Sequence, residues 1–235
     1  GMHNLCAQRR IVGVACTEYR KNGAMAQYIA VKEHTLYALP AAVSFEQGCL
    51  VEPFAVGMHA VLRSGLAAGQ TAAVIGDGTI GLMTLIAAKS QGAQVCISGH
   101  HARPLQLAAR LGALDAALLP QLTAERGADI VYDAVGSQSS FARAMELVRK
   151  GGRIMVIGNH ARTIDFPLQR CITEQIDVQF SYSSAGEYPV CLQAIAEGRA
   201  DLTGLWQSFP LEEGPGVFER LIQRDESLTK AILIP

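Results

Sequence analysis

From about residue 70 the chain repeatedly exchanges short apolar runs for stretches of helical period, and this alternation restricts its fold more than any other feature. Residues 71–76 (TAAVIG), 94–99 (QVCISG), 129–135 (DIVYDAV) and 153–158 (RIMVIG) are apolar without alternating polar positions. Strands covered on both faces read this way. Shorter runs at 116–119 and 177–183 read as the third and sixth strands of the same set. Between them, 79–91 puts Ile80, Met83 and Ala87, then Leu82 and Ile86, at helical spacing, with Gly92 past the end. A second helix is predicted over 104–111, opened by Pro104 and stopped by Gly112, and a third over 139–150, closed by Gly151-Gly152. Strand, helix, strand in this rhythm predicts an α/β fold, a doubly wound parallel sheet with helices on both faces.

Charge narrows the partners. Twenty Lys and Arg face 21 Asp and Glu, a formal net charge of -1. Nucleic acid and anionic membranes call for an excess of basic residues, so neither is an expected partner. Charged residues make up 17% of the chain and glycines number 23, a balance opposite to that of disorder. Cys6, Cys16, Cys49, Cys96, Cys171 and Cys191 are scattered, with no C-x-x-C pair. Neither a disulfide framework nor a self-contained zinc site is expected, and the reducing cytoplasm is the expected compartment. No apolar stretch approaches the roughly 18 residues of a membrane span.

Gly76-Asp77-Gly78-Thr79-Ile80-Gly81 is a G-x-G-x-x-G match that follows a strand, opens a helix and lies inside a βαβ unit. That context marks a dinucleotide-binding turn of the Rossmann type. Gly76 permits the tight turn, Gly78 lets the backbone approach a pyrophosphate, and Gly81 lets helix and strand pack closely, while the helix N-terminus, with Thr79 and Ile80, offers N–H donors. NAD sites carry Asp or Glu at the end of the second strand to accept from the ribose 2′-OH. Here that place is Gly99, followed by His100, His101, Ala102 and Arg103. No carboxylate is expected there to repel a 2′-phosphate, and with His100 and Arg103 nearby the expectation leans to NADP over NAD. Two more turns fall at strand ends, where ligands of such sheets bind, and supply Val135 and Gly136, then Gly158 and Asn159.

The flanks read differently. Residues 25–31 and 36–39 look like strands of a separate β unit, 19–21 like a solvated turn rather than part of the cleft lining, and 43–65 like a helical connection in which Pro53 forces a break or a new helix start. After 186 come a helix at 190–196, a polar, glycine-rich stretch at 197–216, a helix at 217–224 and a strand at 230–234.

In this order the segments resemble the medium-chain dehydrogenase/reductase superfamily, within it the zinc-dependent polyol (sorbitol) and threonine dehydrogenase branch. Residues 22–28 (NGAMAQY) are similar to its dGgfAEY strand opening, Leu39-Pro40 to its lP step, and 50–60 (LVEPFAVGMHA) to its EPlavalHa helix. Asp133-Ala134-Val135-Gly136 and 230–235 (KAILIP) are similar to its D.vG turn and closing Kvvl.P strand. The resemblance implies a Rossmann domain with remnants of a β-rich, GroES-like catalytic domain at both ends. The division it implies is 1–52 catalytic remnant, 53–186 dinucleotide-binding, and 187–235 returning to the catalytic domain. It also implies hydride transfer between a secondary alcohol or polyol and nicotinamide, assisted by zinc.

Of the family's catalytic zinc ligands only Glu52 has a counterpart here, and of its structural Cys set only Cys6, in a run (GMHNLC) similar to G..NLC. Two lone ligands cannot hold zinc, so an N-terminally truncated chain without bound zinc is expected, and His59 is expected to be a packed helical residue. Two alternatives stand beside the dehydrogenase: a dinucleotide-binding module without chemistry, and a zinc-independent NADPH quinone-type reductase. Strand 177–183 is the expected homodimer edge. Residues 1–50 are expected to be disordered, swapped or covered by a second chain, with low amide-exchange protection across 10–40.

Overall fold

Covered strands need a helix layer on each side, and the computed structural model builds both. It describes all residues except 1, 15, 16, 18, 19, 124, 125, 224 and 226, so Cys16 and Tyr19 lie outside the described residues. The main sheet has six parallel strands: β1 (Thr71–Ile75), β2 (Gln94–Ser98), β3 (Leu114–Asp115), β4 (Ala128–Asp133), β5 (Val148–Val156) and β6 (Asp177–Phe180). Their spatial order is β3-β2-β1-β4-β5-β6, the doubly wound order whose direction reverses between β1 and β4 and opens a crevice beyond the strands' carboxyl ends.

Side chains of a strand alternate between faces, so two cores form. Ala72, Val74, Val95, Ile97, Tyr132 and Met155 pack with helices α2 (Val51–Ser64), α3 (Thr79–Ser90) and α8 (Tyr188–Ala196). Ala73, Ile75, Cys96, Val131 and Ile154 pack on the other face with Phe141, Ala144 and Met145 of α6 (Gln138–Leu147). A short α1 (Phe45–Cys49) leads into α2, and its N-cap Ser44 and Gln47 exchange side-chain-to-backbone hydrogen bonds. Pro53 sits in the first turn of α2, where its missing N–H costs nothing, and Gly65, left-handed at φ 70°, ends that helix. Helix α4 (Ala102–Arg110) follows β2, and α5 (Leu119–Leu122) and α7 (Leu168–Thr173) fill the other connections. At the end, β7 (Gln207–Pro210), α9 (Gly214–Ile222) and β8 (Ala231–Ile234) form a two-stranded parallel unit.

Four expectations are corrected. The third strand is 114–115, not 116–119: the Asp115 carboxylate accepts from the Ala117 amide and turns 116–118 into a 3-10 helix. The helix predicted to reach Lys150 ends at Leu147, because pairing with β4 draws residues 148–156 into β5. Gly151, at φ 66°, then lies in a bulge of that strand rather than at a helix end. The polar stretch 197–216 holds β7, which has no apolar run of its own and is defined by its pairing with β8. Residues 25–31 and 36–39 are not strands: before Ser44 the described residues form 3-10 turns at His3–Leu5 and Glu33–Thr35, with no ladder partner within reach.

No described residue before Val43 is buried, and Met25, Tyr28 and Leu36 are 66%, 92% and 62% exposed. Amide hydrogen exchange is therefore expected to be fast across 20–40 and slow in β1 and β4. Full protection of 20–40 in a proven monomer contradicts this. Among the described residues no helix is long and apolar enough to cross a membrane.

Candidate functional site

At the end of β1 the backbone turns through Gly76, whose φ of 104° lies where L side chains rarely sit; a Cβ there would also come 2.9 Å from Val135 Cγ2. Gly78 is the N-cap of α3. A Cβ built on it meets nothing within 4 Å, so that face of the turn is open to an incoming group. The first turn of a helix has N–H donors without intrahelical partners, and Gly78 brings no side chain to cap them. Gly81 is needed for packing: its Cβ would stand 1.9 Å from the Gly76 carbonyl oxygen.

This turn forms one wall of a cleft of about 700 Å³ at the carboxyl ends of β1, β2 and β4, a volume typical of cofactor sites. The expected residues Gly76, Gly78, Thr79, Ile80 and Gly81 line it, as do Gly99, His100 and Val135. Gly136, Gly158 and Asn159 line a smaller adjoining pocket of about 230 Å³. There the two turns are closed on each other, a Cβ on Gly136 falling 2.1 Å from the Gly158 carbonyl oxygen. Arg103 lines neither cavity and is exposed on the first turn of α4. Open glycine faces, free helix-terminal amides and the cleft's size fit a dinucleotide.

Two carboxylates hold these turns. Asp133, fully buried at the end of β4, accepts from the amides of Val135 and Gly136, each at 2.9 Å, and from the Ser140 hydroxyl at 3.0 Å. Asp77 does the same between β1 and β2. Its Oδ2 accepts from the amides of His100 (2.8 Å) and His101 (2.6 Å), and its Oδ1 lies 3.0 Å from His101 Nδ1. Sequence reasoning missed Asp77 as a site residue. The available signal was Gly99: a strand end without a side chain leaves room for one from elsewhere, and a Cβ on Gly99 would lie 2.5 Å from Asp77 Cγ and Oδ2. The expectation of no carboxylate at the end of β2 is thus corrected, because Asp77 reaches across from the glycine turn. Arg143 of α6, also missed, lines the far wall and pairs with Glu146 at 2.7 Å.

Burial raises the Asp77 pKa, but the hydrogen bonds from the His101 ring and the two amides outweigh it, so the carboxyl lies below its ordinary value. A depressed carboxylate contributes stability that is present above its unfolded pKa, about 3.9. That contribution is lost as pH falls through the lower folded value. Urea unfolding across that acid range is expected to show a shallower fall for Asp77→Asn than for the wild type; equal slopes contradict the assignment.

The metal expectations fall on residues that stand apart. Glu52 is exposed in the first turn of α2. Burial, with the Glu52 charge second, pushes the Tyr188 hydroxyl up to about 12. His59 Nδ1 is 2.8 Å from Glu187 Oε1, tying α2 to the start of α8. Cys6 is exposed beside the 3-10 turn that packs at the end of β6 through Asn4 Nδ2 and the Tyr182 carbonyl oxygen, 2.7 Å apart. Among the described residues no group of three or more His, Cys, Asp or Glu is placed to hold a metal ion, so they do not fit zinc, whose catalytic sites take three protein ligands.

Residues 79–197 match a family model described as zinc-binding dehydrogenase. The chain is 30% identical, over 99% of its length and 69% of the relative's, to an uncharacterized zinc-type alcohol dehydrogenase-like protein, YdjJ, of Escherichia coli (strain K12). It is 27% identical to a sorbitol dehydrogenase of Bacillus subtilis (strain 168), over 100% of this chain and 69% of that protein. Among solved structures, 2R,3R-butanediol dehydrogenase from Bacillus subtilis superposes with a TM-score of 0.91 at 26% identity, over 100% of this chain and 70% of that one.

Proposed function

Because this chain belongs to the zinc-binding dehydrogenase family, we propose that it serves an NAD(P)-dependent oxidoreductase of the alcohol or polyol type, moving hydride between a secondary alcohol and nicotinamide. The observation that carries the proposal is the cleft at the carboxyl ends of β1, β2 and β4, with the open face of Gly78 at the start of α3. Bound there, the nicotinamide supplies the hydride acceptor. The chain's own residues would bind and orient it: Gly78 and the first amides of α3 would receive the pyrophosphate, and the turns held by Asp77 and Asp133 shape the walls. In this reading residues 53–186 carry the cofactor together with α8, which packs into the same core, and 1–52 with the chain beyond α8 belong to the half that meets substrate.

For the choice of dinucleotide, Gly99, His100 and Arg103 speak for NADP, and the Asp77 carboxylate speaks for NAD. Relatives named for sorbitol and butanediol support a small alcohol or polyol as substrate. They do not favour a binding module without chemistry or a quinone-type reductase. The five described cysteines are all free, in keeping with a cytoplasmic location. We also place a homodimer contact at β6, the sheet's last strand, where Phe180 is 66% exposed. Light scattering reads that directly, and a monomer at all concentrations removes the contact.

The test of function is reduction of NAD and NADP with a panel of sugar alcohols and diols, alongside metal analysis of the purified chain. Polyol-dependent reduction is expected. A folded chain that binds cofactor yet reduces it with no alcohol, zinc supplied or withheld, returns the reading to the binding module.

A further inference from the structure

We infer that Asp77 is the specificity-determining residue for the dinucleotide, supplying from the glycine turn the carboxylate that selects a free ribose diol over a 2′-phosphate. The inference rests on the dinucleotide reading above. In sites of this fold the acid that meets the ribose comes from the end of the second strand, and here that end is Gly99. The Asp77 carboxylate occupies the volume a residue-99 side chain would need, with Cβ, Cγ and Oδ2 each 2.5 Å from the place of its Cβ. Asp77 also lines the cleft itself.

The carboxylate is well held. Asp77 is 5% exposed, and its two amide bonds to residues 100 and 101 fix it against the turn that leads into α4. A carboxylate has about four acceptor positions. Oδ2 takes both amides, and among the described residues Oδ1 meets the His101 ring, which leaves Oδ1 an acceptor position for a ribose hydroxyl. A 2′-phosphate would instead bring negative charge against a carboxylate with little water to screen it. The basic side chains around the site act the other way: Arg103 on the first turn of α4 and Arg143 across the cleft, with His100 and His101 on the β2–α4 turn. His101 is already engaged with Asp77, and Arg143 with Glu146, so the carboxylate sets the preference.

The test is equilibrium binding of NADH and NADPH, by calorimetry, to the full chain and to two variants. Asp77→Asn keeps the shape and removes the charge. The exchange Asp77→Gly/Gly99→Asp returns the carboxylate to the strand end, with the glycine making room for it. The wild type is expected to bind NADH about tenfold or more tighter than NADPH, the size of one charge-assisted hydrogen bond. Asp77→Asn is expected to lose that preference and the exchange variant to regain it. A merely structural role for Asp77 would not be rescued by moving the charge to another backbone position. A wild type that binds NADPH as tightly as NADH, or a ratio unmoved in Asp77→Asn, overturns the inference while leaving the dinucleotide reading intact. A folded wild type that binds neither overturns both.

Discussion

Replacing Gly81 with alanine is expected to destabilise the chain by about 3 kcal/mol, roughly 10 °C in melting temperature for a domain of this size, and to abolish measurable dinucleotide binding. The new methyl would stand 1.9 Å from the Gly76 carbonyl oxygen and 2.8 Å from its carbonyl carbon. Neither can move aside as the end of a side chain would. Gly76 is tied to β2 through its amide and the Ser98 carbonyl oxygen, 2.8 Å apart. Helix α3 must therefore withdraw, taking with it the buried Leu82, Leu85 and Ile86 and the amides that face the cleft. Gly78→Ala makes the informative contrast. Its methyl meets nothing within 4 Å of protein, so stability is expected to change by no more than about 0.5 kcal/mol while dinucleotide binding weakens. Thermal melts and calorimetric titration of the two variants separate a packing role from a binding role.

Asp133→Ala is expected to cost about 3 kcal/mol or more, because it strands buried donors that the carboxylate now accepts. The Val135 and Gly136 amides and the Ser140 hydroxyl would all lose a partner. Ser140 also belongs to the reciprocal cap that starts α6, so the loss spreads from the β4 turn into a helix and one wall of the cleft. Asp133→Asn, which keeps one oxygen for the two amides, is expected to lose only about 1 kcal/mol. Chemical denaturation distinguishes them, and equal losses would show that the turn does not depend on accepted hydrogen bonds.

The strands of the sheet and the glycine turn of its cleft were legible because each is local in sequence. Covered strands such as 71–76 show as unbroken apolar runs, and the glycines at 76, 78 and 81 are close enough together to be read as one turn. What sequence reasoning missed was defined by partners far along the chain. β7 has no apolar run and exists through its pairing with residues 231–234. Asp77 looked like an unremarkable position inside the glycine motif until the structure placed it against residues 99–101. Residues 25–31 are as apolar as a strand, yet a strand needs a neighbour, and the described residues provide none. Glu52 and Cys6 were recognisable only by resemblance, since neither has other metal-binding side chains gathered around it among the described residues.

The carboxyl ends of the strands are the end at which a dinucleotide is expected to bind. The opposite end offers a rival cavity of about 640 Å³, lined by Thr71, Arg126, Asp129, Arg149 and Lys150. Its Asp129 already pairs with Arg149 at 2.8 Å and accepts from the Thr71 amide at 2.9 Å. Hydrogen exchange of the full chain with and without saturating NADH tells the two ends apart. New protection is expected at 76–81, 98–101 and 134–137, with none at 126–129 or 149–150. Protection confined to 126–129 and 149–150, or no change anywhere in a folded chain, would contradict it.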